Sequence, residues 1–200
     1  MGYKVYREVP ILFKGNMVNA IIAGKKHKTR RLEAPWNVGD HLWVREMFRL
    51  SLQGTIDNGY IETIAYRADG DSLRSDTEIP ISRCYSDDFE NMVRSKRYGY
   101  LWRPSIFMPR WASRITLEVT EKYQEKLQDI TDYECIEEGI EYREEDGSDI
   151  RDNFAKLWDS INMKRKVDIS TNLKTVYPYS WDANPVVFVT GFKVLDIKGK

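Results

Sequence analysis

The chain has 200 residues, a formal net charge of zero, and 42% hydrophobic against 31% charged residues. That is the composition of an ordinary globular chain, long enough to bury a real core. No apolar run is long enough to span a membrane as a helix, and zero net charge argues against strong non-specific binding of duplex nucleic acid, which needs many phosphate contacts.

Two cysteines, Cys84 and Cys135, and two histidines, His27 and His41, lack metal-ligand spacing. The expectation is free thiols, no metal, no cofactor and a reducing, cytoplasmic compartment. Residues Met1 to Val5 lack the apolar core of a signal peptide, and Tyr6 stands where a myristoylation signal needs Ser or Thr.

In chain order, Pro10 to Phe13 reads as a short buried strand. Asn16 to Ala23 follows as a helix, with Asn16 as its cap and Met17, Ala20 and Ile21 on one face. Gly24 ends that helix, which puts the following cations on a loop. Asn37 to Asp40 is a turn signal before a strand over His41 to Phe48, and Ile61 to Arg67 is another strand. Residues 69–100 read as a long loop or insertion. Residues 103–114 interleave arginines with prolines and Trp111, directly after Trp102. Ile115 to Tyr123 alternates as a half-buried strand. Thr131 and Glu134 form a capping box that opens a helix running to Gly139. A second helix covers about Ser148 to Ile161, with Ile150, Phe154, Leu157, Trp158 and Ile161 on one face. Pro185 to Val194 is a final apolar strand. Strands at both ends with a few helices between indicate α+β, or a small barrel with helical decoration, rather than alternating βαβ.

The stretch from Ala23 to Arg31 concentrates five cations and His27 in positions 25–31. Such a cluster is a solvated surface, an anion contact, or a device that lowers the pKa of one lysine through its charged neighbours. A lysine neutral near pH 7 is a nucleophile or base.

Taken in order, the Gly24-Lys25-Lys26-x-x-Thr29-x-Arg31 stretch, the Gly39-Asp40 turn, the Leu127-x-x-Ile130-Thr131 helix start and the last strand resemble the ASCH domain family, which has a PUA-like β-barrel. The likeness is strongest to its phage-encoded branch, on residues 43–46, 103–114 and 181–185. It implies one α+β domain over residues 1–200: a small PUA-like β-barrel with flanking helices and long insertions at about 69–100 and 141–184. The family is associated with RNA or nucleotide recognition. One bacterial branch is an amidohydrolase that deacetylates N4-acetylcytidine with a lysine, a threonine and a glutamate, which fall here on Lys26, Thr29 and Glu138.

On that resemblance Lys26, its pKa lowered by Lys25, Lys28, Arg30 and Arg31, attacks an amide carbonyl or activates Thr29 to do so. Glu138 protonates the leaving amine, and Arg31 or loop N–H groups stabilise the oxyanion. A simple salt bridge from Glu138 would instead keep Lys26 protonated. Arg103, Arg110 and Arg114 are expected to meet phosphates, with Trp111 stacking a base or packing in the core and Trp102 read as core. Lys25, Arg30 and Arg45 complete the expected contacts. Arg45 and Glu46, adjacent on a strand, point to opposite faces. Trp43 and Trp181 fit barrel packing, and Trp158 fits a helix core. The expected ligand is a modified nucleoside or RNA, held between residues 24–31, 130–139 and 103–114. A non-catalytic RNA-binding module, a ribonuclease and a phage interaction protein reusing the fold are the alternatives.

Overall fold

The structure is a computed structural model that describes residues 6–55, 59–70, 102–141, 147, 149–163 and 177–198, without the side chains of 50–55 and 59–63. Most of the 69–100 insertion and much of 141–184 therefore lie outside the described residues, as does Cys84.

The elements, in order, are β1 (Glu8–Leu12), α1 (Gly15–Ile22), β2 (Lys28–Arg31), β3 (His41–Arg45), β4 (Phe48–Thr55), β5 (Gly59–Tyr66), β6 (Ile115–Lys126), α2 (Asp132–Glu137), α3 (Ile150–Asn162) and β7 (Val186–Ile197). The class is α+β. Five strands form one mixed sheet in the order β1-β3-β6-β7-β2, and β4 pairs with β5 alone. No pairing among the described residues closes the five-stranded sheet. The chain divides into two compact units: Met1–Ile22, Gly39–Glu118 and Val194–Lys200 make the first, Ala23–Val38 and Val119–Lys193 the second.

In the first unit β1 runs parallel to β3, Glu8 opposite His41, and β3 antiparallel to β6, Leu42 opposite Leu117. β4 and β5 pair from Phe48 opposite Tyr66 to Thr55 opposite Gly59. Their inner face carries Phe48, Ile64 and Tyr66, which pack with Met108 and Ala112 and, at the edge, Trp111. Helix α1 begins one residue earlier than expected, because the Lys14 carbonyl accepts from Met17 and Val18. Asn16 therefore lies inside the helix rather than capping it. Val18 joins Met17 and Ile21 in the core in place of the half-buried Ala20.

In the second unit β2 is antiparallel to β7, Lys28 opposite Gly191 and Arg31 opposite Phe188. Residues 28–31 are thus a strand, where sequence charge alone indicates a loop. Helix α2 opens on the capping box foreseen at Thr131: its hydroxyl accepts from the Glu134 N–H, while the Glu134 carboxylate accepts from the Thr131 N–H. The helix ends at Gly139, whose φ of +83° is the left-handed conformation glycine tolerates. Helix α3 is capped by Asp149 and buries Ile150, Phe154, Trp158 and Asn162. Buried positions four apart carry the face past Ile161, which is exposed, onto Asn162, whose Nδ2 donates to the Trp158 carbonyl at 3.1 Å. Ile150, Phe154 and Trp158 form one cluster with Leu127, Ile130, Cys135 and Val187, edged by Trp181.

Candidate active site

Three local devices place Lys26. Gly24, at φ +67°, turns the chain out of α1. The His27 N–H donates to the Glu137 carbonyl at 2.8 Å, and the His27 carbonyl accepts from Phe192 at 2.9 Å. Residues 26–28 are thereby pinned between the end of α2 and β7, although the His27 side chain itself is exposed.

Lys26 is 2% exposed and Glu138 5% exposed. Lys26 Nζ donates to Glu138 Oε2 at 2.8 Å, to the Glu138 carbonyl at 2.7 Å and to the Lys28 carbonyl at 2.7 Å. Two of those acceptors belong to the C-cap of α2, where a cation is favoured by the exposed carbonyls. Burial pushes the Lys26 ammonium below its ordinary pKa, against the pull of Glu138, and Arg31 and Arg30 push the same way. The lowering expected from charged neighbours is therefore present, but desolvation is its main cause.

Around this pair lies a wider ionic network. Lys28 and Arg30 stand on one face of β2, since strand side chains alternate. Arg30 Nε donates to Glu125 Oε1 at 2.7 Å, and its Nη groups lie 3.1 Å from Glu134 and 3.4 Å from Glu138. Lys28 Nζ lies 3.2 Å from Glu137, 3.3 Å from Glu134 and 3.5 Å from Glu121. Burial works against the charge on Lys28, but its carboxylates outweigh this and raise its pKa. Burial would likewise push Glu134 up; the Thr131 N–H, Arg30 and Lys28 more than offset it and hold its carboxyl below the ordinary range.

Thr29 and Arg31 occupy the other face of β2. Thr29 is buried and sits opposite Thr190, whose hydroxyl accepts from Trp36 Nε1 at 3.0 Å. Burial pushes Arg31 below its ordinary pKa, against the pull of Glu138; it stays a cation at neutral pH. Lys25 is exposed. The second unit thus brings Lys26 and Arg30 each into contact with Glu138 and carries Thr29 and Arg31 on the same strand as Arg30.

The other expected contacts, Arg45, Arg103, Arg110, Trp111 and Arg114, belong to the first unit. Arg114 is buried: its Nε and Nη2 grip Glu46 at 2.8 and 3.0 Å, and its Nη groups hold Asp69 at 2.8 Å. Arg110 makes a fork with Glu8 at 2.9 Å. Arg45 stacks on Trp43, 4.5 Å from the ring centroid, while Glu46 turns inward to Arg114. Arg45 ends β3 and stays half-buried, and Glu46, which lies just past the strand rather than in it, is buried. Arg103 is half-buried and its backbone pairs with Phe48.

The partners that sequence reading missed are carboxylates: Glu125 and Glu134 for Arg30, Glu46 and Asp69 for Arg114, Glu8 for Arg110. Of these, the sequence singled out Glu134 alone, as the capping-box partner of Thr131. Among the described residues no group of three or more His, Cys, Asp or Glu is placed to hold a metal ion, and no helix is long and apolar enough to cross a membrane. Compared with models of protein families, with curated proteins and with solved structures, the chain matches none.

Proposed function

We propose that the chain is a nucleoside-recognising amidohydrolase that removes the acyl group from N4-acylated cytidine, with Lys26, Thr29 and Glu138 as its reacting groups. The observation that carries the reading is the buried 2.8 Å contact between Lys26 Nζ and Glu138 Oε2. Proton transfer across that contact converts ammonium and carboxylate into amine and carboxylic acid. Burial penalises the Lys26 ammonium, so its amine form is closer in energy here than in water. The Lys26 amine attacks the acyl carbon, or takes the Thr29 hydroxyl proton so that Oγ1 attacks. Glu138 then gives its proton to N4 as the C–N bond breaks, and cytidine leaves as a neutral amine. Water releases the acid; an ester on Thr29 is the more readily hydrolysed intermediate. Arg31, a buried cation that feels the charge of Glu138, serves the oxyanion. The substrate class follows the family resemblance, as do a PUA-like barrel built on the five-stranded sheet and a cytoplasmic setting.

The test is formation of cytidine from N4-acetylcytidine. Lys26→Ala and Glu138→Ala are expected to abolish it; unchanged turnover in either would remove the assigned roles. One observation favours a second reading, non-catalytic RNA recognition: the three acceptors at 2.7–2.8 Å match the three protons of an ammonium and hold Lys26 charged. On that reading no N4-acylcytidine is hydrolysed, and a labelled RNA binds with a clear salt dependence.

A further inference from the structure

The proposed reaction needs an acyl group at Lys26 Nζ, yet Lys26 and Glu138 are almost fully buried. What covers them is the end of α2, since Glu138 supplies two of the three acceptors on Nζ. Of the six residues of α2 only Cys135 is buried, in the cluster with α3, while Tyr133 and Ile136 are 69% and 46% exposed. A helix this short has little stability of its own. β2, Lys28-Thr29-Arg30-Arg31, carries no apolar side chain, so its seam with α2 is polar. A backbone hydrogen bond crosses the seam at its start, from the His27 N–H to the Glu137 carbonyl. Next to it, Lys28 ties Glu134 and Glu137 of α2 to Glu121 of β6. Glu121 reaches Lys28 by crossing β7 at Gly191, where a Cβ would collide with Glu121 Cγ. The side chains of this outer row are 14–45% exposed, so salt reaches them, whereas the inner pair of Lys26 and Glu138 is shielded.

We propose that the seam between α2 and β2 is the substrate entrance to Lys26, and that Lys28 is its salt-sensitive latch. A seam closed by part-exposed ion pairs and a backbone hydrogen bond, with few buried apolar contacts, is the kind of region that opens locally. Parting it lifts Glu138 from Nζ and leaves β2 in register with β7. The role as an entrance rests on the reading of Lys26 as a reacting group; the opening itself does not require turnover.

The test is amide hydrogen exchange of the full chain, followed by NMR at rising sodium chloride. Two amides at residue 27 separate local from global opening. The His27 N–H crosses the seam, and the Phe192 N–H donates to the His27 carbonyl from β7 at 2.9 Å. His27 is expected to be less protected than Phe192 and to lose protection as salt rises. Lys28→Gln should lower its protection about fivefold, the size of a partly exposed ion pair, and leave Phe192 unchanged. A short pulse of acetic anhydride, read by peptide mass spectrometry, should acetylate Lys26 in step with the opening at His27. Equal protection of the two amides, unmoved by salt and by Lys28→Gln, would overturn the latch. Opening at His27 with Lys26 left unacetylated would overturn the entrance. Neither readout uses deacylation, so a wild type that opens but releases no cytidine contradicts the catalytic reading alone.

Discussion

At the scale of the residue, Lys26 and Glu138 stabilise one another only as a pair. Removing the lysine leaves a carboxylate buried beside Arg30 but stripped of its 2.8 Å partner. Lys26→Met is expected to cost about 3–5 kcal/mol in urea unfolding, and Lys26→Met/Glu138→Leu to recover most of it. Additive losses in the double variant would show that the two do not act together. Cys135 offers a second check. Burial pushes its thiol up to about 12, so in a Cys84→Ser background it should resist alkylation at pH 8 until the chain unfolds; rapid native labelling would contradict its placement. Little of this residue scale was open to sequence. The pairing of residues 26 and 138 came from the family resemblance, and the Glu46–Arg114 clasp joins positions that no periodicity links.

At the scale of the element, the patterned segments read well. Helix α3 shows its stripe, and α2 shows its capping box, whose loss in Thr131→Ala should cost about 1 kcal/mol by thermal or urea unfolding. An unchanged midpoint would mean that the cap does not hold α2. The unpatterned strand β2 did not read as one. Lys28-Thr29-Arg30-Arg31 has no apolar alternation, and it is held as a strand by β7 on one edge and by carboxylates from β6 and α2. Those partners are tertiary, so local sequence carries no trace of them. For the same reason the strand over 41–48 read as one piece, whereas the chain breaks at Arg45 and restarts at Phe48 to pair with β5.

At the scale of the whole molecule, carboxylates shifted in opposite directions shape stability against pH. Burial pushes Glu46 above its ordinary 4.5, against the pull of Arg114. A carboxyl raised in the folded state stabilises below its unfolded pKa and loses that contribution as pH rises through the folded value. The stability of wild type relative to Glu46→Gln should therefore fall as pH rises above about 4.5; a rise would reverse the assignment. Glu134 and Glu8 are lowered and act in the other sense, losing stability as pH falls below the ordinary range. The α+β class was readable from the order of strands and helices. The division into two compact units was not, because each unit is assembled from distant stretches of chain.

On the proposed function, the Lys26–Glu138 pair does chemistry rather than only neutralising charge. Lys26→Arg separates the two, since arginine keeps a cation facing Glu138 but supplies no amine at neutral pH. The decisive measurement is the rate of cytidine release from N4-acetylcytidine by wild type and Lys26→Arg, with the melting temperature of each. Turnover is expected in the wild type, with a loss of at least about 100-fold in Lys26→Arg at a similar melting temperature. Equal rates, or no turnover by the wild type, would contradict it.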